Sequence, residues 1–164
     1  MIVVADSSPL NYLIRLGHID ILRDFYGRVL VPCGVSIELQ HAEAPAVVRT
    51  WIAAAPEWLE ITVVQNIDET LGAELGIGER EAISLALEVG ADVLLIDERL
   101  GRHAAETRHI PVAGTLAVLM EASLRGRFDF LEVLGRLRQY GFRVSPSVKA
   151  DIIARYKAAR RKAP

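Results

Sequence analysis

A chain of 164 residues that is 51% hydrophobic and 24% charged has the apolar material for one buried core and too much of it for intrinsic disorder. The longest apolar run, Ile110 to Leu124, carries Glu121 and falls short of the roughly 18 residues needed to cross a bilayer. An integral membrane protein is therefore not expected, and a first strand that ends at Asp6 does not read as a signal peptide, so the expected location is cytoplasmic. Cys33 stands alone, which excludes an internal disulfide and a cysteine-based zinc site. The net charge of −2 hides a division: residues 1–98 hold five arginines and no lysine against sixteen acids, a balance of −11, and the remainder balances at +9. An acidic locus and a basic surface suit a metal pocket beside a polyanion track, although solvated helices produce the same count.

The β-branched run Ile2-Val3-Val4-Ala5 followed by Asp6-Ser7-Ser8-Pro9 predicts a strand feeding a helix. Leu10, Leu13, Ile14 and Leu16 repeat at helical spacing up to Gly17, and Ile19, Ile21, Leu22 and Phe25 predict a second short helix. Val29 to Val31 reads as a strand, Val35 to Gln40 and Ala46 to Ala55 as helices, and Leu59 to Val64 as a third strand. The clearest helix runs from Glu79 to Val89, closed by Gly90, and Val93 to Ile96 is a continuous apolar strand of the kind found centrally in a parallel sheet. After a helix from about Arg99 to Arg108, Ile110-Pro111-Val112 is a fifth strand weakened by proline. Helices over Thr115 to Leu124, Phe128 to Gln139 and a basic one at about 146–162 complete the chain. The alternation predicts an α/β sandwich of three layers around a parallel sheet of about five strands, in a single domain over 1–164.

In such a sheet, ligands bind beyond the carboxyl ends of the strands. Asp6 follows the first strand, Glu38 lies in the helix after the second, Glu81 in the first turns of the helix before the fourth, and Asp97 after the fourth. Carboxylates gathered in one pocket repel one another unless a cation neutralises them, and hard oxygen donors select Mg²⁺ or Mn²⁺. Each also has a structural reading: Asp6 as a helix cap, Asp97 as turn chemistry, Glu38 and Glu81 as helix-surface acids. A phosphatase of the haloacid-dehalogenase kind would need a second Asp where Ser8 stands, and a receiver domain a Lys after the last strand, whereas Lys149 lies far beyond it. His18, His41, His103 and His109 show no metal-ligand spacing, and Trp51 and Trp58 read as core or interface anchors.

The stretches Val3 to Leu10, Val31-Pro32 with Val35 to Leu39, Gly78 to Ala86 and Leu94 to Arg99 resemble the PIN-domain ribonucleases. Ala113 to Leu116 and Gly141 to Ser145 are similar to a prokaryotic PIN-like subgroup related to VapC-like toxins. The resemblance implies a cation-dependent endoribonuclease with catalytic and metal-binding acids Asp6, Glu38, Glu81 and a fourth that is Asp97 or Glu98. It implies phosphodiester hydrolysis by an activated water, without a side-chain nucleophile. Glu79, two residues from Glu81 and so on another side of the helix, is read as an acid favouring the helix terminus. Thr115, Arg99 and Arg102 are candidates for contact with RNA, with helix capping or solvation as the alternatives. The implied partners are RNA, a small antitoxin and a second copy of this chain. Ile19, Leu22, Phe25, Tyr26 and Trp51 are the expected exposed contact for such a protein partner. A catalytically inactive RNA-binding or interaction module of the same fold is the alternative function.

Overall fold

The computed structural model describes residues 1–162. These fall into two compact units, residues 1–115 and, from Leu116 on, the remainder. The first unit contains a five-stranded, all-parallel sheet in the order β3-β2-β1-β4-β5. The strands are β1 (Val3–Ala5), β2 (Val29–Pro32), β3 (Leu59–Thr62), β4 (Val93–Leu95) and β5 (Val112–Ala113). Register is set by apolar pairs, Val3 beside Val29 on one side and Val93 on the other, and Leu94 beside Val112. All three residues of β1 are fully buried, as expected of a central parallel strand covered on both faces. Chain order reverses direction between β1 and β4, so the sheet has its topological switch point there, the crevice where open α/β sheets place ligands.

Six helices belong to this unit: α1 (Ser7–Leu16), α2 (Asp20–Tyr26), α3 (Cys33–Leu39), α4 (Ala46–Ala53), α5 (Ile77–Val89) and α6 (Arg99–Glu106). Gly17 and Gly90 end α1 and α5 in the left-handed conformation, and the N–H of Gly17 bonds the Ile14 carbonyl. The fifth strand starts only at Val112 because Pro111 has no N–H to give the ladder, whereas its carbonyl still accepts from Leu94. Leu10, Leu13, Leu22, Ile83, Leu85, Leu94, Leu95 and Ile96 are fully buried, each worth about 1.5–3 kcal/mol relative to exposure. This corrects one expectation. Ile19 and Leu22 are 5% and 0% exposed, because the apolar side of α2 packs on β2, so they form core and no partner surface.

Residues 63–76 form a long connection pinned at several points. Glu88 accepts from the N–H groups of Gln65 and Asn66, and Ser84 Oγ accepts from the Asp68 N–H. Arg108 donates to Asp68 Oδ2 and Thr70 Oγ1, both at 2.6 Å. Hydrogen bonds from Thr70 and Arg108 hold the Asp68 carboxyl down at about 2.

The second unit takes α7 (Thr115–Leu124) from Leu116 on, α8 (Phe130–Gln139) and α9 (Pro146–Lys162). Asp129 caps α8 by accepting from the Glu132 N–H at 3.0 Å. The Phe130 and Tyr156 rings lie 4.9 Å apart, and the Tyr156 hydroxyl accepts from Ser123 Oγ.

Candidate active site

The ends of β1 and β4 are adjacent, and the Asp6 N–H bonds the Leu95 carbonyl at 2.9 Å. This pairing brings Asp6 and Asp97 to the same edge of the sheet. Asp6 is 1% exposed and makes no side-chain capping bond to α1. Its Oδ1 is buried without a hydrogen-bond partner, an arrangement that costs free energy unless something outside the chain satisfies it. Burial pushes the Asp6 carboxyl up to about 7, with further upward pressure from Glu79, Glu38 and Asp97 in that order, against a lowering contribution from the Ser7 N–H.

Asp97 Oδ1 accepts from the Thr115 N–H at 2.7 Å and Oδ2 from the Thr115 hydroxyl at 2.6 Å. Burial raises the Asp97 carboxyl; the two Thr115 bonds and the Arg102 guanidinium oppose that rise. Gly114 makes room for the arrangement, since a Cβ there would lie 2.8 Å from Asp97 Oδ1 and 2.9 Å from an Arg102 nitrogen. Arg102 itself donates to the Ile96 carbonyl at 3.0 Å. Thr115 is fully buried and its hydroxyl is committed to Asp97, so it orients this carboxylate. Glu98, one residue on, is exposed, as is Arg99 at the start of α6.

Glu38 and Glu81 make a reciprocal pair. Glu38, from α3, accepts the Gly78 N–H in the first turn of α5 at 2.9 Å. Glu81, from α5, accepts the Gly34 N–H in the first turn of α3 at 2.6 Å. Each carboxylate thus satisfies an orphan donor at the positive end of the other helix. Both donating positions need glycine, because a Cβ on Gly34 would lie 2.6 Å from Glu81 Oε2 and one on Gly78 2.5 Å from Glu38 Oε1.

Glu79 accepts the Gly76 N–H at 3.0 Å, the helix-terminus role expected of it. It does more than that, because it heads the acids that raise Asp6, and its own carboxyl is raised by burial and then by Glu98 and Glu38. The electrostatic group at the strand ends is therefore Asp6, Glu38, Glu79, Asp97 and Glu98. Spacing alone did not bring Glu79 into it; the signal available was Gly76, an N-cap three residues ahead that aims Glu79 back along the helix axis. Tyr12 on α1 also faces the group, with its hydroxyl raised by burial and then by Asp97.

Among the described residues, no three His, Cys, Asp or Glu side chains stand close enough together to hold a metal ion as oriented here. The bonds above account for that: Glu38 and Glu81 are turned to helix N-termini and Asp97 to Thr115. The donor chemistry nonetheless fits a hard divalent cation, because the orphaned Asp6 Oδ1 is surrounded by carboxylates that repel its ionised form.

The parallel α/β sheet thus gathers mutually repelling acids around the buried Asp6 at its switch point. A family model described as DUF3368, a PIN domain, matches residues 2–158, and the chain belongs to that family. PIN domains are in general nucleases that use divalent metal ions and act on RNA. No curated protein matches the chain.

Proposed function

We propose that the chain is a Mg²⁺- or Mn²⁺-dependent endoribonuclease. The observation that carries this reading is the buried, unpartnered Oδ1 of Asp6 amid Glu79, Glu38 and Asp97. Asp6 and Asp97 would hold the cation from the strand ends, with Glu38 and Glu79 from α3 and α5. What a divalent cation supplies when bound is Lewis acidity, which activates a water for attack on phosphorus and compensates charge on the leaving oxygen. Thr115 keeps Asp97 oriented, and Gly114 leaves space for it. Glu81, the third acid that the resemblance implies, would join the other acids from α5 by exchanging its bond to the Gly34 N–H for the cation, as Glu38 would its bond to the Gly78 N–H. Arg99, exposed at the start of α6, would contact a substrate phosphate, and Arg102 donates to the Ile96 carbonyl.

Within this reading, the chain is the VapC-like toxin component of a toxin–antitoxin pair in the cytoplasm, and the resemblance to that subgroup supports it. Exposed Ile37, Ile77 and Leu100, adjacent in sequence to Glu38, Gly78 and Arg99, would offer an antitoxin apolar contact, as would the half-buried Phe25 and Tyr26 of α2. Cleavage of a fluorescently labelled single-stranded RNA by the purified chain, with Mn²⁺ and with EDTA, tests the activity. The expected result is cleavage that EDTA stops and that Asp6→Asn eliminates. A chain that binds Mn²⁺ and RNA without cutting would instead support the interaction-module alternative. Co-expression with the neighbouring short reading frame tests the pairing: no copurification and no relief of growth inhibition would reject it.

A further inference from the structure

Within the second unit, the turn joining α8 to α9 encloses an open groove of about 730 Å³ lined by a single stretch from Gly135 to Ser145. Its composition is one-sided. Residues 133–150 contain no Asp or Glu, yet they hold Arg136, Arg138, Arg143 and Lys149. Two arginines elsewhere in this unit have acidic partners, Arg125 with Glu121 at 2.8 Å and Arg155 with Asp151 at 2.9 Å. The two groove arginines, Arg138 and Arg143, are exposed and have no carboxylate partner among the described residues.

The backbone adds to the positive field. The groove ends at Ser145, whose Oγ accepts the Val148 N–H, so the N-terminal turn of the 17-residue α9 adjoins it. Gly141 turns the chain at φ +89°, a conformation that disfavours any side chain, and this turn separates the two arginines along the groove. Gln139 and Ser145 line the groove with groups able to hydrogen-bond a sugar or base edge, and the half-buried Phe142 adds an aromatic surface. Two unneutralised guanidinium groups, a helix N-terminus, polar amide and hydroxyl groups and a ring form the inventory that single-stranded nucleic acid requires.

We propose that this groove is a binding site for the phosphodiester backbone of single-stranded RNA, a second place where the chain holds its substrate, beyond the acidic cluster. The choice of RNA over another polyanion rests on the ribonuclease reading above; the groove's affinity for phosphodiesters does not.

The test is fluorescence anisotropy with a labelled 12-nucleotide oligouridine, using the full chain carrying Asp6→Asn and EDTA throughout, so that neither cleavage nor the cation site contributes. The parent should show affinity that falls with KCl concentration. Arg138→Ala with Arg143→Ala should weaken binding at least tenfold and reduce the slope of log affinity against log salt by roughly 1.4, on the order of 0.7 for each phosphate no longer neutralised. The corresponding double change to Gln, which keeps most of each stem, should do the same and guards against misfolding. Gly135→Leu should weaken binding and leave the slope intact, because open space surrounds that position and the added side chain fills the groove without altering charge. Arg125→Ala, whose guanidinium already has Glu121, should change neither. An unchanged slope in both double variants, or an equal loss in Arg125→Ala, overturns the proposal. Inorganic phosphate that displaces the RNA at equal phosphate concentration also overturns it, showing a small-anion site. Failure of the unsubstituted chain to cleave RNA with Mn²⁺ would reject the ribonuclease reading, and the binding experiment is unaffected by that result.

Discussion

Asp6→Asn should alter how stability depends on pH, in a direction that distinguishes a buried acid from a helix cap. The native carboxyl titrates at about 7 against a reference of 3.8, so the folded chain holds this proton more tightly than the unfolded one does. Protonation therefore favours folding: the contribution is complete below about pH 4 and is lost as pH rises through 7. Three units at 1.36 kcal/mol each amount to about 4 kcal/mol, which for a chain of this size corresponds to roughly 10 °C in melting temperature. Asn removes the ionisation and leaves a buried amide whose cost of about 1–3 kcal/mol does not depend on pH. Thermal melts in EDTA from pH 5 to 8 should show the parent losing stability more steeply than the variant, by about 2–3 kcal/mol over the range. Raised Asp97 and Glu79 impose the same sign on both proteins and leave a residual slope in the variant. Parallel curves would refute the assignment of Asp6 as an unpartnered buried acid.

Gly34→Ala should cost about 1.5–3 kcal/mol in urea unfolding, because its Cβ expels Glu81 from the Gly34 N–H, whereas Gly135→Ala, facing open space in α8, should stabilise by about 0.5–1 kcal/mol. Asp97→Asn should eliminate cleavage and Glu98→Gln reduce it only severalfold, as measured by kcat/KM, because Thr115 holds Asp97 while Glu98 is exposed; equal effects would contradict this ordering. Arg108→Ala should accelerate hydrogen exchange in residues 63–76 ahead of the rest of the first unit, since two of the bonds that pin this connection end on that guanidinium.

The sheet and most of its helices were legible because their signals are local: an all-apolar run for β4, Pro9 in the first turn of α1, Gly90 at the end of α5. The candidate acids at strand ends were legible for a related reason, since a carboxylate immediately after a buried strand has few ways to point. What remained hidden depends on how elements pack. Helical period assigns Glu79 and Glu81 to different sides without saying which side meets the strands. The structure gives Glu81 to α3 through Gly34 and sets Glu79 electrostatically beside Asp6. A trace of this existed in the pattern, because Gly34 precedes Glu38 and Gly78 precedes Glu81 by about one turn, the mark of two helices exchanging carboxylates. The apolar residues of α2 misled for the opposite reason: seven residues show a stripe but not whether the sheet already covers it, and β2 covers Ile21 and Leu22.

The central claim is that the acids gathered around Asp6 bind a divalent cation. Isothermal titration of Mn²⁺ into the metal-free chain at pH 6.5, in two buffers of different ionisation enthalpy, measures both the binding and the protons it displaces. Near pH 7 the Asp6 carboxyl is about half protonated, so binding to the parent should release a fraction of a proton per ion. Asp6→Asn should bind at least a hundredfold more weakly and release none of it. Mn²⁺ binding of equal affinity and equal proton release in the parent and Asp6→Asn would contradict the account.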